Sequence, residues 1–199
     1  MNAARWSLVC AALIGAACGH ERYSAASYNG HVLRPAFARP AVVWQRPDGT
    51  PFDVRRETTG HVTLLFFGYT HCPDICPMQL VNIAAALQRL GADTAAKVQV
   101  LFVTVDPARD TGEVLSHWVH AIDPRFTALR GDTASVNAEL TRLGLTPPTD
   151  APQSATTFSH ASSVLAFSRD DSAHFAYPPN INTEAWVHDL RKLVSDGAP

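Results

Sequence analysis

The chain has 199 residues, 46% of them hydrophobic, and a formal net charge of -2. That length is enough for one domain with a sizeable core. A balance with no basic excess excludes a protein built to hold nucleic acid by charge.

Residues 1–18 read as an export signal rather than as part of the fold. Arg5 precedes the apolar run "WSLVCAALIGAAC", which is short of the ~20 residues a bilayer-spanning helix needs. "IGAAC", ending at Cys18, is similar to a bacterial lipoprotein cleavage box, although Gly15 stands where such boxes usually carry Leu. An ordinary signal peptide and an uncleaved anchor are the alternatives. On the lipoprotein reading Cys10 is removed and Cys18 carries lipid, so Cys72 and Cys76 are the thiols left to the folded domain. Residues 19–36, with Gly, Ser, Asn and Arg and no periodicity, read as a tether, and residues 37–199 as the domain.

"AVVWQRPDGTPFDV" gives two short strand-like runs around Pro47-Asp48-Gly49, a hairpin signal. "HVTLLFFGY" (61–69) is a continuous apolar run of the kind a buried central strand shows. Cys72 and Cys76 follow it. The helix "PMQLVNIAAALQRL" comes next, with Pro77 suited to a first turn and Gly91 to its end. "VQVLFVTV" (98–105) is a second buried strand. Asp110 and Glu113 resemble a capping box that opens the helix "GEVLSHWVHAI". "FTALRG" is a short strand and "TASVNAELTRLGL" a helix. Residues 146–158 hold three prolines and read as a loop. "ASSVLAF" and "HFAYPP" are strands joined at 169–172, and "EAWVHDLRKLV" is an amphipathic helix with Ala185, Val187, Leu190, Leu193 and Val194 for its buried side. The order predicts an α/β fold: a thioredoxin-like mixed sheet flanked by helices, with an N-terminal β-hairpin and an inserted helical segment.

The Cys72/Cys76 pair closes too small a loop to be a useful staple, since crosslinks gain most from long loops. At a helix start, free N–H groups favour thiolate, so both thiols are expected below the free value of ~8.5. Two thiolates are soft ligands for Cu(I) and also suit Zn(II), and a third ligand completes a trigonal copper site. Disulfide exchange is the competing chemistry, although thioredoxin-type enzymes space their cysteines one residue closer. Among nine histidines, His20 and His31 fall in the tether, and His61, His117, His120, His174 and His188 on strands or helices. His71 adjoins Cys72 and is a rival ligand. His160 stands at the end of the long loop, before a strand that in thioredoxin-like topology lies by the cysteines. Met78 is expected to pack as its helix begins.

"LLFFGYTHCPDICPMQL", "VQVLFVTVDPARDT" and "FSHASSVLAF" together resemble the Sco/SenC family of copper chaperones for cytochrome c oxidase assembly, over about residues 39–194. The resemblance implies copper, as Cu(I) or Cu(II), on Cys72, Cys76 and His160. It implies a domain tethered to the membrane of a bacterial cell envelope on its extracytoplasmic side, facing the copper-bearing subunit of the oxidase, with other periplasmic copper chaperones or thiol reductants as further partners. Asp74 matches the family between the cysteines and tunes the loop. Asp106 and Asp110 match the second string, with a capping or loop-ordering role. Ser159 and Ala161 depart from the family, which usually has an acidic residue before the histidine and often a serine after it. A thiol–disulfide reductase using Cys72 and Cys76 is the alternative function. A peroxidase lacks an identifiable set of groups around one cysteine.

Overall fold

The structure, a computed structural model, describes residues 27–148 and 162–196. Its centre is β4 (Val62–Gly68), buried along its whole length. It lies between a parallel neighbour, β5 (Val98–Thr104), and an antiparallel one, β7 (Val164–Phe167). Two further strands, β6 (Thr127–Leu129) and β8 (Ser172–Tyr177), extend the sheet on either side, and β1 (His31–Ala38) closes one edge against β8, giving the order β1-β8-β7-β4-β5-β6. A separate hairpin, β2 (Val43–Gln45) with β3 (Pro51–Asp53), joins the sheet's other end through a bridge between Gln45 and Arg130.

The apolar runs serve both faces because strand side chains alternate. Val62, Leu64 and Phe66 of β4 meet Leu80, Ile83 and Leu87 of α2 (Ile75–Leu90), Leu115 and Val119 of α4 (Gly112–Ile122), and Trp186, Leu190 and Leu193 of α6 (Thr183–Asp196). Leu65 and Phe67 point the other way, to Trp44, Phe52 and α5 (Thr133–Arg142) through Val136 and Leu140. The strands β4 and β5 are linked by α2, and β5 and β6 by α4, as parallel neighbours require. The predicted thioredoxin-like mixed sheet is therefore present, with the hairpin before it and β6–α5 inserted ahead of β7.

Two short helices, α1 (Val54–Thr58) and α3 (Ala92–Ala95), were not expected, being too brief to show a helical period. The expected tether is corrected at its C-terminal end. His31–Ala38 is a strand with His31 opposite Ala176 and Ala38 opposite Ser172, and the segment before it is bound too: Asn29 N and Gly30 N donate to Asp189 at 2.7 and 3.3 Å. The expected signal segment, Cys18 and the first part of the tether lie outside the described residues. No helix among the described residues is long and apolar enough to cross a membrane.

Candidate metal centre

In register, Gly68 of β4 stands beside Thr104 of β5, so the loops leaving these two parallel strands meet at one end of the sheet. The first loop, Tyr69 to Asp74, delivers Cys72 and turns into α2. Asp74 is the N-cap, with its carboxylate accepting from Ile75 N at 2.6 Å. Cys72 N donates to Tyr69 O at 3.2 Å, and Met78 N to Asp74 O at 3.0 Å. Gly68 must be glycine here. A Cβ would lie 2.7 Å from Phe102 Cε2 and 2.9 Å from Cys76 Sγ, both in the packed interior.

The two cysteines are free and unequal. Cys72 is half-buried, whereas Cys76 belongs to the core. Cys76 N donates to Cys72 Sγ at 3.3 Å. The hydrogen bond from the Cys76 thiol, aided by the N–H groups of Cys76 and Asp74, brings the Cys72 pKa down to about 6 against the opposing effect of burial. Cys76 moves the other way, because its proton is held against the Cys72 sulfur and because it is buried. The expectation that both thiols are acidified is thus corrected: the helix start serves one sulfur, and the second acts as its donor. Burial raises the Tyr69 pKa, as does its hydrogen bond to Cys72, which keeps the phenol a donor to that sulfur.

Asp110 braces the loop from behind. Fully buried, it accepts from Thr70 N at 3.1 Å, Thr70 Oγ1 at 2.6 Å and Thr104 Oγ1 at 2.5 Å. It is not the expected partner of Glu113 in a capping box. Thr111 is the N-cap of α4, accepting from Val114 N at 3.3 Å. Asp106 pairs with Arg109 and accepts Asp110 N at its carbonyl, 2.9 Å, so the expected loop-ordering role holds for both aspartates. Sequence reasoning missed Gly68, Tyr69, Thr70 and Thr104. The signal lay in the β4/β5 register, which brings the two motif strings together.

His71 is exposed, with Nδ1 3.1 Å from Thr70 Oγ1 and 3.8 Å from Asp110 Oδ1. The remaining described histidines serve elsewhere: His61 lies at the opposite end of β4 against Thr59 O, His174 is held by Asp170, and His188 by Asp189. His117 and His120 are on the exposed side of α4. Among the described residues no three His, Cys, Asp or Glu side chains are grouped to hold a metal ion. His160 lies outside the described residues. Met78, expected to pack, is 45% exposed, and Val81 one turn on is 52% exposed.

A thioredoxin-like sheet carrying a reactive thiolate and a buried thiol at the start of its first crossover helix defines a domain for soft-metal or disulfide chemistry. The SCO1/SenC family model matches residues 47–195, and the chain belongs to that family. It is 41% identical over 83 residues to the mitochondrial SCO2 homolog of Danio rerio, covering 41% of this chain and 30% of that protein. It is 42% identical over 73 residues to a SCO2-like protein of Rickettsia prowazekii, covering 37% and 35%. These alignments span about a third of the curated relatives' length. Among solved structures, apo Sco1 from Thermus thermophilus superposes with a TM-score of 0.70 at 27% identity, covering 82% of this chain and 95% of that one. Bradyrhizobium japonicum ScoI with copper bound gives 0.62 at 28% identity, covering 78% and 98%.

Proposed function

We propose that the protein is a membrane-tethered copper metallochaperone that holds copper through Cys72, Cys76 and His160 and assists assembly of the binuclear copper centre of cytochrome c oxidase. The observation that carries this reading is the sulfur pair itself. Cys76 N–H and thiol converge on Cys72 Sγ, so two soft donors sit side by side at the mouth of a rigid sheet. The copper in the Bradyrhizobium relative supports the same cargo. Binding of Cu(I) takes the Cys72 thiolate as it stands and displaces one proton from Cys76. Cys72, the more exposed sulfur, is the ligand a partner reaches first when copper is passed on by exchange. Lipid on Cys18 places the domain at the outer face of the membrane, where the copper-bearing subunit of the oxidase is the recipient.

The unequal thiols favour a second reading, a thiol–disulfide reductase. The Cys72 thiolate attacks one sulfur of a partner's disulfide and forms a mixed disulfide. Cys76 then attacks Cys72 Sγ, its proton passing to the departing thiolate, so the pair becomes a disulfide and the partner leaves as one thiol and one thiolate, the latter taking its proton from water. This reading has no use for His160.

Copper titration of the reduced protein separates the two. One copper per chain is expected for the wild type and none held tightly by Cys72→Ser or Cys76→Ser. His160→Ala is expected to weaken Cu(II) more than Cu(I), because two thiolates suffice for Cu(I) in low coordination while Cu(II) prefers added nitrogen. Unchanged Cu(II) charge-transfer absorption in His160→Ala would remove it from the ligand set and bring His71 forward.

A further inference from the structure

The carboxylate of Asp110 is a negative charge enclosed behind the thiol loop, and among the described residues its hydrogen-bond donors are all neutral. Its three hydrogen bonds come from two threonine hydroxyls and one backbone N–H. Among the described residues its single ion-pair contact is the exposed imidazole of His71, 3.8 Å away, and Arg109, which also faces it, is paired with Asp106 at the surface. Neutral donors stabilise the carboxylate but leave its net charge in place, and in a poorly polarisable interior that charge acts over several ångströms. Two of its three bonds are to Thr70, two residues before Cys72, so the charge lies directly behind the loop that carries the thiols.

We propose that Asp110 is the positioning residue that sets the electron affinity of the Cys72/Cys76 site, holding the loop through Thr70 and disfavouring every state that adds negative charge between the two sulfurs. Two consequences share one sign. Reducing the Cys72–Cys76 disulfide takes two electrons and one proton and yields a thiolate and a thiol, a gain of one negative charge. Reducing Cu(II) on two thiolates to Cu(I) takes one electron and turns a neutral assembly into an anionic one. Asp110 opposes both, so the site favours disulfide over dithiol and Cu(II) over Cu(I) more than the sulfurs alone would. The copper half rests on the function proposed above; the disulfide half does not.

Asp110→Asn separates charge from geometry. The amide oxygen can accept from Thr70 N and Thr104 Oγ1, and Thr70 Oγ1 can accept from the amide while donating to His71 Nδ1, 3.1 Å away. The disulfide equilibrium against a glutathione buffer is expected to shift about tenfold towards dithiol, ~30 mV upward for two electrons. The ratio of Cu(I) to Cu(II) affinity is expected to rise about tenfold, ~59 mV for one electron. Asp110→Ser, also neutral, should move both in the same direction and is the reading to take if the asparagine variant does not fold. Thr70→Val removes one hydroxyl bond and keeps the charge, so it should leave the disulfide equilibrium within about twofold of wild type. A shifted disulfide equilibrium in the variants together with a wild-type protein that binds no copper would sustain the inference and sink the copper function. An equilibrium unmoved by either neutral variant, or moved as much by Thr70→Val, would overturn the inference.

Discussion

Strand β4 has a buried charge at each of its ends, and the two are handled in opposite ways. At its start Arg39 has all five N–H groups matched. Nε meets Asp171 at 2.8 Å, one terminal nitrogen meets Thr58 and Thr63 hydroxyls at 2.6 and 2.5 Å, and the other meets the carbonyls of Ser168 and His61 at 2.8 and 3.1 Å. Its guanidinium also lies over the Phe167 ring. Burial lowers the Arg39 pKa, and Asp171, the counter-charge, offsets part of that effect. At the far end Asp110 has hydrogen bonds but, among the described residues, no Lys or Arg in ion-pair contact, only the exposed imidazole of His71 at 3.8 Å. A saturated, paired charge pins elements together and leaves little field behind. A charge satisfied by neutral donors keeps its field, and it stands beside the thiols. The difference separates a structural ion from a functional one.

The largest effect should come from breaking the saturated end. Arg39→Met leaves the carbonyls of His61 and Ser168 without their buried donor, while Thr58 Oγ1 retains Val54 O at 2.6 Å and Asp171 is partly exposed. Buried groups deprived of partners cost ~1–3 kcal/mol each, so a loss of about 3 kcal/mol is expected in urea unfolding, with Cys72 alkylation unchanged in the folded protein. Changed thiol reactivity without lost stability would mean that the two ends of β4 are not separable.

How much of this was legible in the sequence follows the same division between local and distant causes. Strands β4 and β5 announce themselves because both faces are buried and the runs are therefore almost continuously apolar, with Thr63, Gln99 and Thr104 as the exceptions. The helix at Gly112–Ile122 was expected at those bounds. Residues 31–36, the greater part of β1, read as tether because an edge strand with an exposed Arg34-Pro35 step has no alternation to read. On α6 the buried Asp189 escaped notice, since its partners Asn29 and Gly30 are some 160 residues away. Spacing placed Cys72 and Cys76, but their inequality depends on which sulfur sits inside the core. Asp110 was read as a cap because it precedes a helix that carries Glu113, and only the pairing of β4 with β5 reveals Thr70 and Thr104 as its partners.

A smaller effect, on rate rather than stability, sharpens the difference between the sulfurs. With the Cys72 pKa at about 6, its alkylation by iodoacetamide should rise with pH through that region and level off by about pH 8. A free cysteine would still be climbing towards ~8.5. Cys76, buried and with its pKa raised, should react at least about a hundredfold more slowly at pH 7. Peptide-level mass spectrometry of the reduced protein reads both sites separately. Equal labelling of Cys72 and Cys76 would show that the buried sulfur is not acting as the donor.

The smallest effect concerns Thr111, the immediate neighbour of Asp110. Its side chain accepts one hydrogen bond, from Val114 N at 3.3 Å, and it is exposed. The backbone bond from Leu115 N to Thr111 O, at 2.9 Å, does not depend on the side chain, and Leu115 and Val119 anchor α4 in the core. Thr111→Ala should therefore cost about 0.5–1 kcal/mol, the ordinary value of an exposed N-cap. It should leave the Cys72–Cys76 disulfide equilibrium where it was. Paired with Asp110→Asn, it tests whether adjacent residues divide the work, one ending a helix and the other charging a site. A loss well above 1 kcal/mol accompanied by a shifted equilibrium would mean that the loop from Asp106 to Thr111 moves as one unit. Asp110 would then act through loop position rather than through its charge.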